Sequence, residues 1–171
     1  SVDQSQVLKN GLPLIGTDIL DLSNNLINEV IDFDIKIKEV FLLGHSFGGS
    51  VALCSGAELD IEGIIALAPV IDYKAQGKEK YIEEKMDWSY NFIIAGFENV
   101  YRNFDKNKWE EFYSKGLALN ANDYFDKLKT KKILLLHGIK DISVNYNRSK
   151  VFNSKLRSLR CDIDYEETND D

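Results

Sequence analysis

The sequence predicts an α/β fold in which helices flank a parallel sheet. Three short apolar runs, at residues 38–43, 63–70 and 133–136, have the composition of buried strands. Segments of helical character separate the first two, and an alternating stretch at 162–166 predicts a last strand. Strands that are nearly continuous apolar runs and that alternate with helices are typical of a parallel sheet.

The remaining elements follow in chain order. Residues 1–17 are polar and contain glycine and proline, which indicates a loop. Apolar residues recur at helical spacing from 18 to 33, which predicts a helix with one buried face. Residues 46–58 are rich in glycine, alanine and serine, so a helix here can lie close against the sheet. A final helix is predicted over 152–159.

Residues 73–130 depart from this alternation, because no strand is visible in them and they hold most of the aromatic residues. Such a segment is several times longer than an ordinary connection between a helix and a strand. We therefore predict a helical cap at 73–130, inserted into a core formed by 1–72 and 131–171. Its aromatic residues either pack its own helices or line an apolar pocket over a site.

The sequence GHSFGG, at residues 44–49, follows the first predicted strand and precedes the small-residue helix. A strand, a tight turn and a helix are the context in which G-x-S-x-G presents a nucleophilic serine. Ser46 is then the candidate nucleophile, and Gly44 and Gly48 are expected to be the small residues that its strained backbone requires. The N–H of Phe47 would face a developing oxyanion.

Two other glycine-rich sites do not fit this stretch. A phosphate-binding loop needs lysine after its last glycine, and a dinucleotide-binding loop needs G-x-G-x-x-G; neither pattern is present. A purely structural glycine turn stays open as the alternative.

Three segments, VFLLGHSFGGSVAL, IIALAPVID and ILLLHGIKDISV, occur in that order. With them the chain resembles the α/β-hydrolase superfamily, in particular the prolyl-oligopeptidase-like, dienelactone-hydrolase-like and monoacylglycerol-lipase-like branches of serine peptidases and esterases. The resemblance implies strands 5 to 8 of that fold, a cap after strand 6, Ser46 as nucleophile and Asp141 as the acid of a triad. Asp141 could instead bond its own turn, and Asp72 is the second candidate acid.

The base of the triad is not evident, because the chain has only two histidines. His45 is expected to point away from the site, and His137 precedes the acid, whereas this fold places its base after the acid. The resemblance also implies four earlier strands and a second oxyanion donor that are not visible. We therefore expect an internal or carboxyl-terminal fragment of a longer serine hydrolase, inactive by itself, with its catalytic histidine outside this chain.

Two further functions stay open at this stage. One is a catalytically inactive module of the same fold that binds an apolar ligand. The other is an acyltransferase, which forms the same acyl-serine but passes the acyl group to an alcohol or a thiol.

Composition limits the remaining classes of function. A net charge of −7 and a pI near 4.9, with no basic stripe, argue against nucleic-acid binding. No apolar run is long enough to span a bilayer and no signal peptide is visible, so we expect a cytoplasmic protein whose amino terminus is missing. Cys54 and Cys161 match no metal motif, and Cys54, in an apolar helical stretch, is expected to be a buried thiol. We expect no metal or cofactor; the partner is a small ester or peptide substrate.

Overall fold

A computed structural model describes residues 38–74, 91, 106–107, 111 and 119–169. Its regular elements, in chain order, are β1 (Phe41–His45), α1 (Phe47–Glu58), β2 (Gly63–Leu67), a 3₁₀ turn (Ala121–Tyr124), α2 (Phe125–Leu128), β3 (Lys132–Gly138), α3 (Tyr146–Ser158) and β4 (Asp162–Thr168).

The four strands form one parallel sheet in the order β1-β2-β3-β4, so that neighbours in the chain are neighbours in the sheet. All four strands therefore end at the same edge. Backbone bonds tie these ends together: the amide of Ser46 donates to Leu67 and the amide of Ala68 donates to Leu136, both at 2.8 Å. The residues that follow the strands are thus held side by side.

Helices α1 and α3 cover the same face of this sheet. A Cβ built on Gly56 of α1 would lie 2.6 Å from the side chain of Ile64, which shows how closely this helix approaches β2. Ile133 of β3 pairs with Ile64, so Ile133, Leu135 and His137 lie on the same face of the sheet as Ile64. His137 contacts Ser149 of α3, which places α3 on that face as well. The small residues of α1 therefore permit the close approach predicted for them.

The core lies between this face and the two helices. Its largest fully buried side chains are Tyr73, Phe152, Leu53, Ile64, Ile71, Leu119, Leu128, Leu135 and Leu156.

The predicted parallel α/β architecture is confirmed, although several boundaries differ. β1 is shifted toward His45, and β3 extends from Lys132 to Gly138. Helix α3 begins at Tyr146 rather than at 152, because the Asn145 side chain caps it by accepting from the Asn147 amide at 3.1 Å. The helix predicted over 18–33 lies outside the described residues.

The predicted cap is described only at its two ends, with a few residues between. Leu119, Ala121 and Leu128 fall within the predicted range of 73–130, yet all three are fully buried in the core. The core of the α/β layer therefore includes the carboxyl-terminal end of that range.

Candidate active site

The turn between β1 and α1 holds Ser46 in an unusual backbone conformation, with φ 54° and ψ −121°. A positive φ is uncommon for a residue with a Cβ. Ser46 is the N-cap of α1, but its side chain does not cap the helix. Serine at this position usually accepts a bond from the first turn of its helix, and the strained backbone directs the hydroxyl elsewhere. The side chain is half-buried at the edge where the strands end.

Close backbone packing imposes this conformation. A Cβ on Gly44 would collide with the carbonyl group of Gly48, so no larger residue fits at position 44. A Cβ on Gly49 would lie 3.0 Å from the Cβ of Pro69. A Cβ on Gly48 would meet no described atom within 4 Å. The prediction that position 48 needs a residue without a Cβ is therefore wrong for the described surroundings. Position 49 has the closer contacts instead.

A buried hydrogen bond adds to this packing. The Ser50 hydroxyl, which is fully buried, donates to the carbonyl of Val70 at 2.7 Å. This bond ties the first turns of α1 to the segment that follows β2. The sequence shows Ser50 only as one of several small residues in the helix, so this contact was not predicted.

Phe47, the candidate oxyanion donor, is the first residue of α1. Its ring meets the buried ring of Tyr73 edge-on, with centroids 6.1 Å apart. The amide of Tyr73 donates to Asn120 Oδ1 at 3.1 Å, and Lys74 Nζ lies 2.5 Å from Asp123 Oδ2. We call these two contacts the clasp. They join both ends of the predicted cap beside the first turn of α1.

Asp141, the candidate acid, lies in the loop after β3. Its Oδ1 accepts from the amides of Ser143 at 2.7 Å and Val144 at 2.9 Å. Its Oδ2 lies 3.2 Å from Nε2 of His137. Asp141 thus does bond its own turn, as the alternative interpretation expected. Those bonds occupy one oxygen and give the carboxylate a defined orientation.

His137 is buried beneath this loop. Nδ1 lies 2.7 Å from the Ser149 hydroxyl, and Nε2 faces Asp141, although that contact is too bent to count as a hydrogen bond. Burial lowers the pKa of His137 below its ordinary value of 6.5, and the charge of Asp141 opposes this shift. Since β2 lies between β1 and β3 in the sheet, these two strands are about 10 Å apart. His137 is therefore too distant to take a proton from Ser46.

His45 is not positioned as a base either. It is exposed, and it alternates along β1 with Gly44, which faces α1. Its side chain therefore points to the opposite face of the sheet, as expected from the sequence.

Asp72, the second candidate acid, lies beyond the end of β2. Its Oδ1 accepts from the amide of Lys74 at 3.0 Å, and its carbonyl accepts from Arg148 Nη1 at 2.7 Å. It borders an open groove of about 250 Å³ lined by Ile71, Asp72, Asn122, Asn145, Asn147, Arg148 and Val151. No histidine lines this groove.

Both cysteines are free and buried, which confirms the prediction made for Cys54. Burial raises the pKa of the Cys54 thiol, and it raises that of Cys161 to about 11. Among the residues that the structure describes, no three His, Cys, Asp or Glu side chains are grouped so that they could hold a metal ion. No helix within the described ranges is both long and apolar enough to cross a bilayer.

Similar folds occur in solved peptidase structures. The chain aligns over 98% of its length with Pyrococcus horikoshii acylaminoacyl peptidase, at a TM-score of 0.61 and 17% identity. A second crystal form of that enzyme gives a TM-score of 0.62 at 15% identity over 96% of the chain. A Bacteroides ovatus protein assigned as a dipeptidyl aminopeptidase IV gives 0.57 at 19% identity over 90% of the chain.

The chain has part of the α/β-hydrolase fold. It spans 25%, 24% and 19%, respectively, of the chains in these three structures. No protein-family model matches the sequence, and no curated protein is significantly similar to it. The likeness to the α/β-hydrolase fold therefore rests on structure. The turn that holds Ser46, which we call the elbow, and the loop that holds Asp141, which we call the acid loop, follow two of the parallel strands.

Proposed function

We propose that this chain carries the nucleophile and the acid of a serine hydrolase. Ser46 Oγ attacks the carbonyl carbon of an ester or a peptide and forms an acyl-serine, and a histidine takes the hydroxyl proton and passes it to the leaving group. Asp141 orients that histidine. The Phe47 amide donates to the oxyanion. Water then releases the acyl group.

The observation that carries this proposal is the backbone of Ser46. A serine at a helix N-cap gains most by bonding the first turn, yet Ser46 has φ 54° and makes no such bond. Strained residues of this kind cost about 1–3 kcal/mol and occur mostly at functional sites. A structural turn would place glycine here without that cost.

The proposal requires a histidine from outside this chain. The sequence has only His45 and His137. The first is directed to the other face of the sheet, and the second is buried at the far side of β2.

The substrate belongs to the class of acyl compounds, either an ester or a peptide. Two of the proteins with similar folds are named as an acylaminoacyl peptidase and a dipeptidyl aminopeptidase, which supports the peptide alternative. The clasp joins the ends of the predicted cap beside Phe47. This anchoring supports a role of residues 73–130 in substrate choice.

Active-site labelling tests the proposal. In the protein at its natural length, a fluorophosphonate should label Ser46, and the Ser46→Ala variant should not be labelled. Ser55→Ala is the matched control, because Ser55 lies in the same helix, is fully buried and has no hydrogen-bond partner for its hydroxyl among the described residues. Asp141→Asn should slow acylation by about 10⁴-fold, as expected for the loss of a triad acid.

Two outcomes would change the interpretation. A folded protein that is not labelled would contradict the proposal and favour a module that binds an apolar ligand. Labelling with equal rates in wild type and Asp141→Asn would remove Asp141 from the mechanism. Matched ester and anilide substrates with the same acyl group then separate esterase from peptidase activity.

A further inference from the structure

Two buried side chains that the proposed reaction does not use, His137 and Ser149, form a chain of contacts with the partly buried carboxylate of Asp141. The hydroxyl of Ser149 on α3 lies 2.7 Å from Nδ1 of His137, and Nε2 of the same ring lies 3.2 Å from Oδ2 of Asp141. The His137 side chain is fully buried, and the Asp141 side chain is 11% exposed. Nε2 is one of the few buried polar atoms without a well-formed hydrogen bond among the described residues. The Asp141 carboxylate faces this atom, and the backbone of Val144 also interacts with the ring.

The chemistry of the two ends assigns the proton on this ring. A carboxylate oxygen only accepts hydrogen bonds, so the nitrogen that faces it must carry the hydrogen. With hydrogen on Nε2, Nδ1 of the neutral ring becomes an acceptor, and the Ser149 hydroxyl donates to it. The opposite tautomer would place two lone pairs 3.2 Å apart in a buried site. The carboxylate of Asp141 therefore selects the tautomer with hydrogen on Nε2, and the Ser149 hydroxyl, which can donate or accept, donates to Nδ1 in that tautomer.

We propose that His137 is a positioning residue for Asp141. The amides of Ser143 and Val144 donate to one carboxylate oxygen, and the Nε2–H of His137 faces the other at 3.2 Å. The terminal torsion of an aspartate is otherwise broad, so a donor on each oxygen fixes the plane of the carboxylate. This inference rests on the proposed function, in which that plane orients the histidine base.

Two amide variants separate this role from a merely structural one. In His137→Gln the side-chain amide nitrogen can occupy the place of Nε2, so the donor toward Asp141 is kept. In His137→Asn the amide can reach only the place of Nδ1, so the contact with Ser149 is kept and the donor toward Asp141 is lost. Both variants are polar and similar in size, and each needs a urea unfolding curve alongside the kinetics.

The expected kinetic result is a difference between the two variants in kcat. His137→Asn should lower kcat by up to about 100-fold with little change in KM, the order of loss that misplacement of a reacting group by about 1 Å produces. His137→Gln should recover most of that loss. Equal losses in both variants, or losses that follow their stabilities, would overturn the positioning role.

The tautomer gives a readout that does not depend on activity. In the ¹⁵N-labelled protein at neutral pH, the ring signals of His137, assigned by their absence from His137→Gln, should show hydrogen on Nε2 and none on Nδ1. Hydrogen on Nδ1 would overturn the inference even if the enzyme is active. Absence of Ser46 acylation in wild type would instead overturn the proposed function. The contact between His137 and Asp141 would then have no catalytic role.

Discussion

The elbow and the acid loop place their functional residues by opposite means. Ser46 is forced into φ 54° by backbone packing around Gly44, and its side chain does not cap α1. Asp141 is held by its own side chain, which accepts from two amides of its loop and faces His137. The comparison teaches that the candidate nucleophile is held by backbone strain and the candidate acid by polar contacts of its side chain. The two regions should therefore respond to different perturbations.

The largest expected effect is on the elbow. Gly44→Ala places a methyl group against the backbone carbonyl of Gly48, which cannot move without distorting α1. We expect a loss of about 3 kcal/mol in the free energy of unfolding, at the upper end of overpacking. Gly48→Ala is the matched control: its methyl group meets no described atom, and alanine favours a helix by up to about 1 kcal/mol. Urea unfolding measures both variants. Equal destabilisation would show that packing at Gly44 is no tighter than at Gly48.

A smaller effect tests whether polar contacts also hold the elbow. Ser50→Ala removes the donor to the Val70 carbonyl and should cost about 1–2 kcal/mol. Ser55→Ala in the same helix removes a fully buried hydroxyl that has no partner in the described part of the chain. It should be neutral or slightly stabilising. If the two variants unfold at the same urea concentration, the bond to Val70 contributes nothing to the elbow.

If the backbone of Ser46 is strained, a substitution that relieves the strain should raise the free energy of unfolding. Ser46→Gly relieves the positive φ, and Ser46→Ala retains it, while both lose the hydroxyl. We expect the glycine variant to be more stable than the alanine variant by about 1 kcal/mol, after the greater flexibility of glycine in the unfolded chain is allowed for. An alanine variant at least as stable as the glycine variant would show that the elbow stores no strain.

The smallest expected effect belongs to the acid loop and depends on pH. Burial lowers the pKa of His137, so the unfolded chain takes up its proton first as the pH falls below 6.5. The contribution of His137 to stability is then fully present above that value and decreases below it. His137→Gln should lose less stability than wild type between about pH 7.5 and about pH 5.5. If the free energy of unfolding changes equally with pH in the two proteins, the pKa of His137 is not lowered by folding.

Local pattern predicted those parts of the structure that depend on neighbouring residues. The apolar runs and the small residues of α1 were sufficient for the parallel sheet, and G-x-S-x-G after an apolar run was sufficient for the strand, turn and helix around Ser46. Gly44 was identified for the right reason. Gly48 was not, because the clash depends on how the helix turns back over β1 rather than on symmetry about the serine.

Contacts between residues that are distant in the sequence could not be predicted from it. Asn120 bonds a residue 47 positions away, and Ser149 bonds His137 across 12 positions. Such pairs depend on how two elements pack, which no local spacing encodes. The start of α3 was different, since Asn145 is a typical N-cap and its signal was available in the sequence.

The clasp has a consequence for how this scaffold can be modified. Tyr73 and Lys74 are bound directly to Asn120 and Asp123, so the two chain ends between which residues 75–118 run are already fixed beside each other. Doubling the length of a closed loop costs only about 0.6 kcal/mol in chain entropy. A segment of different length or origin can therefore be grafted between positions 74 and 119 while the elbow keeps its geometry. The clasp thereby provides a fixed attachment point for an exchanged segment.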